Sequence, residues 1–267
     1  MLNYRNFLIF NQKKFLGVFF LFNIFISYNI HSQMLEISSI SKTNSNPPLP
    51  SELLKVMPLG DSLTEGGYNE NRIWKIGPGY REYLWNKLKM ASLNVVFVGS
   101  MDTGSFGIDK PRHEGHSGWT IDQINENIES WIQASSPNLI LLMIGTNDVL
   151  KNIKLKSINQ RYLRLLAKIM KVAPTVKVII ASPIKTNNDL LNLKLKKIHD
   201  SLILIVEELK RRQMNIEFVD MYYKSGIENS STDLIDGVHP TKIGYEKMGE
   251  SWFQSIIKSY SKLFKKR

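Results

Sequence analysis

Five short apolar runs punctuate the chain after residue 53: Val-Met-Pro-Leu before Gly60, then segments at 95–99, 139–145, 178–182 and 216–221. They are rich in Val, Ile and Leu and show no polar alternation, the pattern of strands buried on both faces of a parallel sheet. Between and after them, amphipathic spacing predicts helices at about 80–91, 120–134, 157–172, 190–213 and 241–264. In the fourth, Leu191, Leu195, Ile198, Leu202, Ile205 and Leu209 return at helical intervals, and Pro174 closes the third. Strand and helix alternating in this way predict a doubly wound α/β sandwich in one domain, with no internal repeat. Open parallel sheets bind ligands beyond the carboxyl ends of their strands, so chemistry is sought on that rim.

Ahead of this domain the pattern changes. Arg5, Lys13 and Lys14 precede an apolar run from Phe15 to Ile26. That run is shorter than the roughly 20 residues a membrane span needs. It predicts a signal peptide over residues 1–32, cut after Ser32, with Ile30 an imperfect fit two positions before the cut. An uncleaved anchor is the alternative, and only then is a membrane contact expected. Residues 33–52 read as a flexible linker ending in prolines, and 53–267 as the folded domain. The expected destination is secreted or periplasmic.

Composition narrows the chemistry. At 267 residues and 43% hydrophobic, the chain has length enough for a sizeable core. Its net charge of +11 reads as a lysine-rich solvated surface, since no aromatic-interleaved basic patch accompanies it, and nucleic acid is not an expected partner. There is no cysteine, which removes disulfides, thiolate nucleophiles and zinc–thiolate sites.

Four segments then fall on one rim of the expected sheet. Ser62 follows the first strand, Gly118 ends the loop after the second, Asn147 follows the third, and the Asp236–His239 loop follows the fifth. A serine hydroxyl is a weak nucleophile until a base takes its proton. Among five histidines, His31 lies in the N-terminal segment, His199 sits on a helix with only Asp200 beside it, and His113 and His116 share a loop. His239 alone has a carboxylate three residues earlier, and Asp236 can fix the tautomer that turns the other ring nitrogen to Ser62. Asn147 offers a carboxamide N–H and Gly118 a backbone N–H, with the Ser62 N–H as a third oxyanion donor. Thr120 and Gln123 have the spacing of a capping box, which places a helix N-terminus just after Gly118. Taken singly, each of these residues has a plainer reading as a turn or a cap. His113, Glu114 and His116 lack the spacing of a helical zinc site, so neither a metal nor a cofactor is expected.

At this point the residues resemble a known family. GDSLTEG, SGW, GTND and DGVH are similar in order and spacing to the four sequence blocks of the SGNH (GDSL) hydrolases, over roughly residues 54–256. MPLGDSLTEG, GYR at 79–81, FVGS at 97–100 and HEGHSGWTI at 113–121 resemble the carbohydrate esterase family 3 branch, which contains acetylxylan esterases. The resemblance implies a three-layer α/β/α sandwich with a five-stranded parallel, flavodoxin-like sheet. It also implies a metal-free Ser-His-Asp mechanism with Ser62 as nucleophile, His239 as base, Asp236 as its partner, and Ser62, Gly118 and Asn147 as the oxyanion hole. The expected substrate is a short-chain, O-acetyl ester on carbohydrate. A lipid-ester or thioester hydrolase of the same fold, and a non-catalytic carbohydrate-binding protein, are the alternatives. Trp74, Tyr80, Arg81, His116 and Trp119 are the candidates for lining a sugar cleft, whereas Trp85 and Trp131 fall within helices and suit core packing. Between Glu65 and Gly79, where NENRIWKIGP stands, the chain departs from the expected family pattern, in a loop that borders Ser62.

Overall fold

The predicted apolar runs lie side by side as parallel strands. A computed structural model describes residues 53–104, 107, 111–228 and 230–264; the expected signal segment, the linker and the last three residues lie outside the described residues. In chain order the strands are β1 (Leu54–Gly60), β2 (Gly67–Glu70), β3 (Ile73–Ile76), β4 (Val95–Phe97), β5 (Glu114–Gly115), β6 (Leu139–Met143), β7 (Lys177–Ala181) and β8 (Ile216–Val219). The helices are α1 (Ser62–Glu65), α2 (Tyr80–Met90), α3 (Ile121–Ser135), α4 (Thr146–Leu150), α5 (Ile158–Val172), α6 (Asp189–Arg211) and α7 (Lys242–Phe264).

The main sheet runs β4-β1-β6-β7-β8, every pair parallel. Where β4 stops, β5 takes over the edge of β1, pairing Leu59 with Glu114 and Gly60 with Gly115. Side chains alternate across the sheet. On one face Val56, Leu141 and Ile179 pack with Leu84 and Leu88 of α2 and Trp252 and Ile256 of α7. Toward the other point Met57, Ile140, Leu142 and Ile180, and α3, α5 and α6 bury Ile128, Leu166 and Leu202. Helices therefore cover both faces, giving three layers. Each buried aliphatic side chain contributes roughly 1.5–3 kcal/mol, and truncating Trp252, which has no exposed surface, costs about 3–5 kcal/mol.

The stretch between Glu65 and Gly79 that the sequence left unassigned folds into an antiparallel hairpin, β2 with β3. Its turn is Asn71-Arg72, both at positive φ (53° and 65°), the geometry of a two-residue turn whose twist matches the strands. Two sequence expectations fail beside it. Tyr80 and Arg81 do not line a cleft: they begin α2 facing inward, each 0% exposed. Tyr80 packs toward Trp252, ring centroids 6.0 Å apart. The Arg81 Nη2 donates to the carbonyls of Glu65 (2.9 Å), Thr103 (3.0 Å) and Gly77 (3.4 Å), joining three segments from within. Burial draws the Arg81 guanidinium down to about 10.

Candidate active site

Strand β1 delivers Ser62 to the carboxyl rim of the sheet, as the first residue of the single-turn helix α1. Asp61 caps that turn by accepting the Leu63 N–H at 3.0 Å. Ser62 is 6% exposed, and its Oγ lies 2.9 Å from His239 Nε2. On the other side of the ring, His239 Nδ1 lies 2.8 Å from Asp236 Oδ2. With the proton on Nδ1, Nε2 presents its lone pair to the serine hydroxyl.

Asp236 is held by its own loop and by the hairpin. Its Oδ1 accepts the N–H groups of Val238 (3.0 Å) and His239 (2.7 Å), and its Oδ2 accepts the N–H of Asn69 (3.1 Å). Partial burial raises its pKa, but the hydrogen bonds from the His239 ring and backbone, the His239 charge and the Val238 N–H outweigh it. The carboxyl sits well below the ordinary carboxylate range. The hairpin also brings Trp74, 41% exposed, edge-on to the imidazole at 5.1 Å between centroids.

The residues read from the sequence as oxyanion donors, Asn147 and Gly118, come from the segments after β6 and β5. Asn147, in the first turn of α4, is buried; its Nδ2 donates to Trp119 O at 3.1 Å and, more weakly, to Asp61 Oδ2 at 3.4 Å. The carboxamide thus bridges the Asp61–Ser62 turn and the Gly118 loop. Gly118 has φ +80°, a conformation open to glycine, and its carbonyl accepts Lys151 Nζ at 2.6 Å. The expected capping box is present: Thr120 N–H donates to Gln123 Oε1 at 2.9 Å, and α3 starts there. Asp148 reinforces the same helix start by accepting the Ile121 N–H at 3.2 Å, and pairs with buried Arg161. Burial pushes the Asp61 carboxyl up to about 7, against the opposing pull of the Leu63 N–H and the His239 charge.

The remaining candidates divide. His116 donates its Nε2–H to Glu114 Oε2 at 3.0 Å, and its ring lies nearly parallel to Trp119 (4.3 Å) and Trp131 (4.7 Å). Trp119 and Trp131 are both partly exposed, so Trp131 belongs to this aromatic stack and not to the core; Trp85 packs on Phe97 as expected. His113 is buried, its Nδ1 accepting the Gly115 N–H and its Nε2 facing Thr103 O, and burial drives it down to about 3. His199 has a second carboxylate that its sequence neighbours do not show: Asp220 at 3.1 Å from Nε2, opposite Asp200 on Nδ1. Residues that the sequence left without a role are Asn69, Lys151 and Glu65. An acidic residue inside the GDSLTEG block was a signal for the last of these.

The model of the GDSL-like lipase/acylhydrolase family matches residues 59–247, a span that contains Ser62, Gly118, Asn147, Asp236 and His239. The chain belongs to that family. It is 32% identical over 259 residues to a multidomain esterase of Ruminococcus flavefaciens, matching 84% of this chain and 31% of that protein. It thus spans about a third of the length of that relative. Among solved structures it is similar to a family 3 carbohydrate esterase of Clostridium thermocellum, with a TM-score of 0.67 and 31% identity over 79% of this chain and 98% of the other. An acetyl esterase, crystallised as a mutant with an acetate ion, aligns at a TM-score of 0.67 and 28% identity, covering 79% and 99%.

Proposed function

We propose that this chain is an exported serine esterase that removes O-acetyl groups from carbohydrate. One observation carries the reading: Ser62 Oγ, His239 and Asp236 stand in a continuous relay, 2.9 Å and then 2.8 Å. His239 Nε2 takes the hydroxyl proton as Ser62 Oγ attacks the acetyl carbonyl. The tetrahedral oxyanion is met by the N–H groups of Ser62 and Gly118 and by Asn147 Nδ2, whose weak contact to Asp61 gives way to the stronger acceptor. His239 then protonates the departing sugar oxygen, leaving an acetyl ester on Ser62. Water, deprotonated by the same nitrogen, attacks that ester, acetate leaves, and the proton returns to Ser62 Oγ.

The acetyl group and the carbohydrate follow from the family 3 and acetyl esterase relatives and from the exposed indole of Trp74 beside His239, a surface on which a sugar ring can stack. Trp119 and His116 lie along the Gly118 side of the same rim. Export rests on the apolar N-terminal run.

The test is acetate release from acetylated xylan, mannan and pectin by the purified protein and by Ser62→Ala. Acetate released by the first and not the second supports the reading; equal rates overturn the serine mechanism. Activity on p-nitrophenyl esters that rises from acetyl to octanoyl would favour a lipid-type substrate and overturn the acetyl assignment.

A further inference from the structure

Glu65 closes the helical turn that Ser62 opens, and its side chain is turned inward, 5% exposed. The loop bearing Gly118 supplies its hydrogen-bond partners. Its Oε2 accepts the main-chain N–H of Ser117 at 3.0 Å and also the Ser117 hydroxyl, while Oε1 accepts the Thr103 hydroxyl at 3.0 Å. Hydrogen bonds to a buried carboxylate are among the stronger ones a protein makes.

Among the described residues, Glu65 is the α1 side chain that hydrogen-bonds this loop; Ser62 Oγ faces His239 and Thr64 Oγ1 faces Tyr80. Around Glu65, backbone contacts seat the loop further. His116 N–H reaches Gly60 O at 3.0 Å, and Trp119 N–H reaches His116 O at 3.1 Å. Gly115 is pressed so closely on α1 that a Cβ there would lie 2.4 Å from Glu65 N, so a side chain would force the two segments apart. The Gly118 N–H therefore sits between two anchors: Glu65 on Ser117 before it, and Lys151 on the Gly118 carbonyl after it.

We infer that Glu65 is a positioning residue that holds the Gly118 N–H in register with Ser62 Oγ, and so sets the strength of the oxyanion hole. This rests on the function proposed above. Oxyanion donors accelerate reaction because they are fixed before charge develops, and a loop free to drift loses that advantage in the transition state more than in the ground state. Glu65 itself touches no substrate.

The experiment compares Glu65→Ala, Glu65→Gln and Glu65→Asp on p-nitrophenyl acetate, with inhibition by methylboronic acid, whose tetrahedral serine adduct carries the oxyanion. For Glu65→Ala we expect kcat about 100-fold lower with KM within about threefold, and boronate affinity weakened in step. Glu65→Gln keeps one acceptor for the Ser117 N–H and should recover to within about tenfold of the parent. Glu65→Asp keeps the charge but falls one methylene short; it should lose kcat and boronate affinity together by about tenfold or more. That variant decides the matter if the alanine variant does not fold. Unchanged kcat in Glu65→Asp, or a fall in melting temperature with no matching loss of boronate affinity, overturns the inference. A parent protein that hydrolyses no ester would instead overturn the proposed function.

Discussion

Asn69 donates its main-chain N–H to Asp236 across 3.1 Å, fastening a surface hairpin to the carboxylate that orients His239. In the register of β2 and β3, Asn69 stands opposite Trp74, one pair removed from the two-residue turn. That is a non-hydrogen-bonded position of an antiparallel pair, so its N–H points out of the hairpin and is available to another partner. The same register puts Trp74 on the side facing His239. A segment that the sequence left unassigned has thus become part of the support for the proposed base.

Removing this donor tests the connection. Asn69→Pro deletes the N–H at an outward-facing edge, where proline is best tolerated, whereas Asn69→Ala retains it. One hydrogen bond to a charged group is worth about 1.5 kcal/mol, so kcat/KM on p-nitrophenyl acetate should fall about tenfold in the proline variant. The alanine variant should retain most of the parent activity. Equal kcat/KM in the two variants would show that the hairpin does not act through Asp236.

Asp236→Asn should lower kcat by about three to four orders of magnitude, because the carboxamide favours the wrong imidazole tautomer. The pH dependence of stability supplies a second readout. Asp236 is depressed in the folded state, so its bonds stabilise the fold fully above the ordinary value of 3.8 and progressively less as the pH falls toward the folded value. The melting-temperature gap between parent and variant should be level from about pH 5 to pH 8 and shrink below about pH 4. A gap that widens in acid contradicts the assignment.

Much of this site was legible in the sequence, and the reason is specific. Ser62, Gly118, Asn147, Asp236 and His239 each follow an apolar strand or open a helix, so topology alone gathers them on one rim. The hairpin was not legible, because its alternation lasts only four residues per strand and its turn, Asn71-Arg72, lacks the glycine that usually marks one. Tyr80 and Arg81 were misplaced since residue type does not reveal which side of a helix start is covered. The carbonyls that accept from Arg81 Nη2 come from Glu65, Gly77 and Thr103. For the same reason His199 looked nearly partnerless: Asp220 arrives from the end of another strand, 21 residues away. The role of Glu65 depends on Ser117, 52 residues on.

Asn147→Ala should reduce kcat about 100- to 1,000-fold while changing KM little, the signature of a donor used in the transition state. The substitution also frees Trp119 O and Asp61 Oδ2 from their contact with the carboxamide. Steady-state kinetics on p-nitrophenyl acetate separates the cases. A rise in KM with kcat preserved would make Asn147 a binding residue only.

Burial raises the Asp61 carboxyl to about 7 from an unfolded value near 3.8. Between those two values the folded state keeps a proton that the unfolded chain has released, so Asp61 makes stability fall as the pH rises from about 4 to about 7, and adds no further slope above. Asp61→Asn removes that slope while preserving an acceptor for the Leu63 N–H. The melting temperature of the variant minus that of the parent should therefore climb across this window and then level off. A difference that is flat from pH 4 to pH 7 would mean that Asp61 is ionised in the fold throughout.

Trp74 separates polymer recognition from acyl chemistry. It is the large, partly exposed side chain in contact with the His239 ring, and its loss removes a stacking surface and a wall of the imidazole together. Trp74→Ala should raise KM for acetylated xylo-oligosaccharides by about tenfold, the effect of losing one aromatic contact of roughly 1–1.5 kcal/mol. KM for p-nitrophenyl acetate, which has no sugar to stack, should rise distinctly less. Any loss of imidazole support should appear in kcat equally with both substrates. If instead both KM values moved by the same factor, Trp74 would be acting through His239 alone, and the sugar would have to be held elsewhere on the rim, with Trp119 the next residue to change.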